Sequence, residues 1–265
     1  MSFLITLSPA KKMREIVDQT LLNNLATYYK QPIFFKQTQE LITELKKFDH
    51  KKLQDLMKIS PKIAELNYKR YQNFNNNPTE PAIFKFYGDA YQALAAESLT
   101  ESEILRLEQQ LCILSGLYGL LSPLTLISEY RLEMGRNLVI NQCKNLYEFW
   151  QDHITKQIKQ LMIDKNYIIN LCSKEYWQVL NLDALTHTII VPIFKNKTAS
   201  GYKTLMHYAK RARGLMVRYI IQNNISNIND LENFSADGYK FIEKKSHSAK
   251  NIIEYLYVCD KVKEN

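Results

Sequence analysis

Hydrophobic positions along the chain follow two periods, and the two alternate. Phe3–Leu7, Ala82–Phe86, Tyr167–Leu171, Thr188–Phe194 and Ile252–Val258 are short apolar runs bounded by turn residues, which predicts buried strands. Elsewhere apolar residues recur every three or four positions. That predicts helix over most of residues 13–58, then over 61–71, 101–112 and 145–163. Thr100 with Glu103 forms a capping box ahead of the 101–112 helix. KNKTASG, followed by an arm at Tyr202–Leu205, reads as a hairpin turn, and SHSAKN between Gly238–Lys245 and Ile252–Val258 reads as another. Strands, crossover-length helices and late β-hairpins predict an α/β (mixed α+β) fold, with a mixed twisted sheet flanked by helices. With no internal repeat and a polar break only at Asn73–Pro81, residues 1–265 are expected to form a single domain.

The stretch that organises this pattern is KTLMHYAKRARGLMVRYII, Lys203 to Ile221. At 100° per residue Leu205, Tyr208, Ala209, Ala212, Leu215, Met216, Tyr219 and Ile220 share one face. Lys203, Lys210, Arg211, Arg213, Arg218 and His207 lie on the other, with no acid among them. Ordinary exposed helix faces mix Glu with Lys so that i,i+4 pairs form. A face of one sign is expected to meet an anion. The first residues of this stretch also suit a strand, as the second arm of the preceding hairpin.

Charge extends the same expectation to the whole chain. A net +8 and a pI near 9.1 favour an anionic partner such as nucleic acid. Leu56 to Tyr71, LMKISPKIAELNYKRY, reads as two helices joined by a tight turn, with Ser60 as N-cap and Pro61 at the first helical position. Lys58 and Lys62 flank that turn. Residues 50–72 therefore read either as an ordinary αα-hairpin or as a helix-hairpin-helix whose amides hold a backbone phosphate, with Lys58-Ile59-Ser60 in place of the usual Gly-x-Gly.

Candidate chemistry gathers at strand ends. Ser8-Pro9-Ala10-Lys11 closes the first strand and delivers a hydroxyl and an ammonium to the carboxyl end of a sheet, where α/β folds bind ligands. Arg131 and Glu133 alternate with Leu132 and Met134, as on one face of a strand. Ser8, Lys11, Glu133, Ser173, Glu175 and Lys210 could converge on one pocket. Gly116 and Gly119 form a GxxG whose apolar middle predicts close backbone packing rather than a nucleic-acid clamp. No nucleotide-binding, hydrolase or metalloprotease motif is present, and the five histidines are scattered, so neither a metal nor a cofactor is expected. Cys112 and Cys172 sit in apolar runs and read as reduced core thiols. The chain has neither a signal-peptide pattern nor an 18-residue apolar stretch, which predicts a cytoplasmic protein that does not span a membrane.

Several blocks resemble the YaaA family of bacterial peroxide-stress proteins. They are Ser8-Pro9-Ala10-Lys11, LMKIS from Leu56, GDAY from Gly88, LSGLYGLLSPL from Leu114, YRLEMG from Tyr130, INL from Ile169 with Ser173, Glu175 and Tyr176, YAKRARGLM from Tyr208, and Asp237-Gly238-Tyr239. The resemblance runs from residue 4 to about 245. It implies a single mixed α/β domain with a basic cleft and a helix-hairpin-helix-like element. It also implies DNA binding through the backbone, a role in limiting peroxide damage, and an association with lowered free iron. By residue matching, Lys11, Lys58, Lys62, Arg131, Lys210 and Arg213 are the expected DNA contacts, and Ser8, Lys11 and Glu133 are the candidates should the cleft be catalytic. The competing expectation is an enzyme acting on damaged DNA or a nucleotide in that cleft. Direct iron sequestration ranks last, and a monomer is favoured. Lys12 replaces a usual Thr, and Ala93 a usual Gly in what reads as a loop beside the cleft. The segment beyond Tyr255 is unlike the family and is expected to matter little.

Overall fold

The computed structural model describes residues 3–14, 19–247 and 251–261. Strand β1 (Phe3–Leu7) leads through helices α1 (Gln19–Leu25), α2 (Phe35–Leu45), α3 (His50–Met57) and α4 (Pro61–Gln72) to the two-residue strand β2 (Glu80–Pro81). Short helices α5 (Ala82–Lys85) and α6 (Asp89–Leu94) precede α7 (Glu101–Gln110), which runs directly into β3 (Leu111–Ser115). Then come β4 (Gly119–Leu121), β5 (Leu126–Ile127), α8 (Leu146–Leu161), β6 (Tyr167–Leu171) and α9 (Lys174–Trp177). The remaining elements are β7 (Thr188–Thr198), β8 (Gly201–Lys203), α10 (Met206–Gln222), β9 (Tyr239–His247) and β10 (Ile252–Cys259).

The sheet has the order β4-β3-β1-β6-β7-β10-β9, with β8 paired to β7. Strands β3, β1, β6, β7 and β10 are parallel, and β4, β8 and β9 run antiparallel at its borders. β1 and β3 are buried along their whole length, as strands covered on both faces must be. The fold is thus the mixed α/β sheet flanked by helices that the pattern predicts. The chain goes from β1 to β3 on one side, then returns to β6 on the other. That reversal places a switch point at the carboxyl ends of β1, β3 and β6.

Local expectations are corrected in several places. Ala82–Phe86 is a helical turn, not a strand. Lys85 is buried within it, and the turn brings its ammonium to Glu80, 2.5 Å away, and Glu129, 3.2 Å away. The 101–112 helix stops at Gln110, because Leu111 and Cys112 pair with β1; its Thr100–Glu103 capping box is present. β7 continues to Thr198, so the turn is only Ala199-Ser200. α10 begins at Met206, leaving Lys203 in β8. Ala93 lies inside helix α6 rather than in a loop. The segment beyond Tyr255 is structural: β10 sits between β7 and β9, Tyr257 and Cys259 are fully buried, and the Tyr257 hydroxyl donates to the Leu231 carbonyl at 2.8 Å. Ser246 and His247 belong to β9, and the rest of the second hairpin's turn, residues 248–250, lies outside the described residues.

Candidate functional site

β1 ends where the sequence reading places a functional edge. Ser173, just past β6, donates its backbone N–H to Ser8 Oγ at 2.9 Å, and the Ser8 hydroxyl reaches Ser173 Oγ at 3.3 Å. Tyr91 of α6 donates to the Ser8 carbonyl at 2.9 Å. Cys172 lies beneath, beside Thr6 and Ser8 and near Arg213; burial pushes its thiol up to about 12, so it stays protonated. A methyl group at Gly88 would lie 3.0 Å from Ala10 Cβ, so the GDAY turn is seated directly on the Ser8–Lys11 segment.

Glu133 is the second centre. Its side chain is 3% exposed and meets three cations: Arg131 Nε at 2.9 Å, Arg136 Nε at 3.1 Å and Lys11 Nζ at 3.4 Å. Within this cluster one carboxylate faces three cations. Burial alone would raise the Glu133 carboxyl, but hydrogen bonds and attraction from Arg136 and Arg131 outweigh it and hold the group below its ordinary range. Residues 129–134 form no ladder strand; Arg131 and Glu133 meet anyway because the segment is extended and pinned. The Tyr71 hydroxyl donates to the Arg131 carbonyl at 2.6 Å. Gly116 packs so closely that an added Cβ would lie 2.3 Å from the Leu132 carbonyl, which accounts for the first glycine of the GxxG. The Gly135 N–H donates to the Glu175 carboxylate at 3.2 Å, and Glu175 thereby ties this segment to the end of β6.

Helix α10 lies against the sheet beside β7 and crosses α6 so tightly that a Cβ on Gly214 would lie 1.9 Å from the Ala90 carbonyl. Its face of like charge is less bare than the sequence suggests, because acids arrive from other elements. Arg211 pairs with Asp237 at 2.5 Å, and His207 Nδ1 meets Asp89 at 3.1 Å. Arg218 donates to the Leu94 and Ala95 carbonyls and to Ser98 Oγ at 2.8–3.1 Å, closing the carboxyl end of α6. Lys210 and Arg213 differ: among the described residues neither has a hydrogen-bond or carboxylate partner. Lys210 is exposed, whereas Arg213 is partly buried and burial draws its pKa down.

Lys58 and Lys62 stand apart from this group. α3 and α4 form the predicted αα-hairpin, with Lys58 in the left-handed conformation (φ 53°) that a turn glycine would ordinarily take. Ser60 holds the N-cap position without making a side-chain cap. The turn is separated from Arg131 by most of α4, roughly 14 Å from Lys62 to Tyr71. A 440 Å³ cavity opens at the carboxyl ends of β7 and β10, lined by Asn196, His207, Tyr208, Arg211, Asp237, Gly238, Tyr239 and Lys261, next to the Ser8 edge but without Ser8 or Arg213. Among the described residues, no cluster of His, Cys, Asp or Glu could hold a metal ion, and no helix is long and apolar enough to cross a membrane. The four cysteines are unpaired.

The structure thus brings Lys11, Arg131 and Glu133 together and places Ser8 against Ser173. Two site residues escape the sequence reading. Arg136, one turn beyond Glu133, carried an i,i+3 charge signal; Tyr91 was signalled only as the last residue of the GDAY block.

A family model described as peroxide stress protein YaaA matches residues 3–245. A UPF0246 protein of Flavobacterium psychrophilum is 41% identical over 241 residues, covering 89% of this chain and 94% of its own. One from Aliivibrio fischeri is 42% identical over 249 residues, covering 92% and 94%. One from Shewanella piezotolerans is 40% identical over 250 residues, covering 92% and 95%.

Proposed function

Since the chain belongs to the peroxide stress protein YaaA family, we propose that it serves in peroxide stress by binding DNA along the carboxyl edge of its sheet. The observation that carries this reading is the unequal treatment of α10's cations. Arg211 is paired with Asp237 and Arg218 is used structurally, while Lys210 and Arg213 are left for an outside anion. Lys11, Arg131 and Arg136 continue the positive edge, and Glu133 is the carboxylate that pairs with all three. None of these five groups is an Asn or Gln and they come from three separate segments rather than one recognition helix, which favours contacts to backbone phosphate. The α3–α4 turn supplies a second contact. Because Ser60 makes no side-chain cap, the first-turn amides of Lys62 and Ile63 are not taken up by its hydroxyl, and Lys58 precedes them in the turn. In this reading the protein acts in the cytoplasm as a single-domain monomer.

The rival, an enzyme on damaged DNA or a nucleotide, lacks such support. Among the described residues, Ser8 Oγ has Ser173 and Cys172 as neighbours and no general base among its hydrogen-bond partners. Titrating a fluorescent duplex at a series of salt concentrations tests the proposal. Affinity is expected to fall steeply, with a log–log slope of several units. A salt-insensitive interaction, or no binding at low salt, removes it.

A further inference from the structure

We propose that Arg213 receives a phosphomonoester, the terminal phosphate of a nucleic-acid strand or of a free mononucleotide, rather than an internal phosphodiester. This rests on reading the Ser8 edge as an anion site, and goes further in naming the group the site selects. Arg213 is set back from the surface: Ala212 and Gly214 on either side are buried, and Gly214 is pressed onto Ala90. A guanidinium in that position ordinarily has a carboxylate, because an unpaired buried charge is costly. Arg213 has none among the described residues. Its nitrogens are nevertheless not sealed in, since none is among the fully buried polar atoms that lack a partner. An outside anion can reach them.

The neighbours suit a dianion with three free oxygens. Gly214, next to Arg213, packs on Ala90, and the adjacent Tyr91 donates to the Ser8 carbonyl, which sets this part of α10 beside the Ser8–Ser173 pair. Ser173 N–H donates to Ser8 and Ser8 donates to Ser173 Oγ, so the Ser173 hydroxyl hydrogen is not spent within the pair. Lys210, one turn before Arg213, stands exposed at the rim, and Lys11 extends from the segment that follows Ser8. A phosphomonoester carries between one and a half and two negative charges at neutral pH, about −1.5 to −2, and only one ester arm. It can be inserted end-on and held by the guanidinium fork. An internal phosphate has sugar on both sides and a single charge, so it suits a set-back guanidinium less well than an end phosphate does.

The test compares short fluorescent single strands of one sequence ending in phosphate or in hydroxyl, at the 5′ and at the 3′ end, with a closed circular strand of the same composition. A free nucleoside monophosphate serves as competitor. The expected result is at least about tenfold tighter binding of a phosphorylated end. That preference should vanish in R213Q and shrink to about twofold in R213K, which keeps the charge but loses the fork. Competition by the free monophosphate supports the same site. Equal binding of phosphate and hydroxyl ends, or a preference that survives in R213Q folded to the wild-type melting temperature, overturns the proposal. Should R213Q fail to fold, the R213K preference alone decides. If circles bind with a steep salt slope and ends make no difference, backbone binding stands and this inference fails. If the monophosphate binds through Arg213 while circles do not, backbone binding fails and this inference stands.

Discussion

Ser8 and Ser173, 165 residues apart in sequence, are joined twice: the Ser173 N–H donates to Ser8 Oγ at 2.9 Å, and the Ser8 hydroxyl reaches Ser173 Oγ at 3.3 Å. The pair locks the carboxyl ends of β1 and β6 together beyond the last ladder bond. The two serines are not equivalent. Ser8→Ala strands a partly buried amide and is expected to cost about 1–2 kcal/mol, whereas Ser173→Ala leaves Ser8 Oγ its amide donor and should cost well under 1 kcal/mol. Urea denaturation of both variants checks this, and equal losses would count against it.

The contact of Gly214 with Ala90 sets the height of α10 above the site. Gly214→Ala introduces a Cβ 1.9 Å from a backbone carbonyl, which no rotamer can relieve. A loss of roughly 3 kcal/mol or more is expected, the upper range for overpacking. Gly88→Ala, which meets only the Ala10 methyl at 3.0 Å, should cost markedly less. Similar melting temperatures for the two variants would contradict the packing described.

Glu133 gives the protein an acid-side dependence with a defined sign. Its folded pKa is lowered, so its contribution to stability is fully present above the unfolded glutamate value of about 4.3 and is lost as pH falls through the folded value. Glu133→Gln removes the anion that offsets three cations. The expected loss at neutral pH is about 2 kcal/mol, below the 3–5 kcal/mol of a fully buried pair because Lys11 is 60% exposed. Below about pH 4 the difference from wild type should narrow. A constant difference from pH 7 to pH 3 would show that the carboxylate charge is not what stabilises the cluster.

These relationships were unequally legible in the sequence. Tyr167–Leu171 was readable to the residue because a strand buried on nearly all sides is a mostly apolar run, broken here by Asn170. Ala82–Lys85 was not, since its conformation depends on where Lys85 finds Glu80 and Glu129, and on Ala82 and Ile83 donating to the Thr125 and Pro123 carbonyls. The same limit applies to the site. Arg131 and Glu133 are close in sequence, so their pairing could be foreseen. The acids that meet α10, Asp89 and Asp237, come from 118 residues before His207 and 26 residues after Arg211, and a helical wheel shows neither. The importance of the segment beyond Tyr255 was hidden for another reason. The family match ends at residue 245, although β10 is held between two strands.

That distribution of acids separates binding from folding along a single helix. Lys210 and Arg213 have no hydrogen-bond or carboxylate partner among the described residues, so Lys210→Ala with Arg213→Ala should weaken DNA binding and lower the salt slope by about two units, one for each lost phosphate contact. Lys210→Ala alone should leave stability within about 0.5 kcal/mol, as an exposed residue away from any cap or core. Arg213 packs among buried neighbours, so its removal should carry a modest loss from its aliphatic stem. Arg218→Ala should behave in the opposite way. It strips three acceptors of their donor at the end of α6 and should cost about 1–3 kcal/mol with the salt slope unchanged. Salt titrations and thermal melts on the same preparations read both quantities. A Lys210/Arg213 variant that melts like Arg218→Ala and binds DNA like wild type would move the interface to Lys11, Lys58 and Lys62.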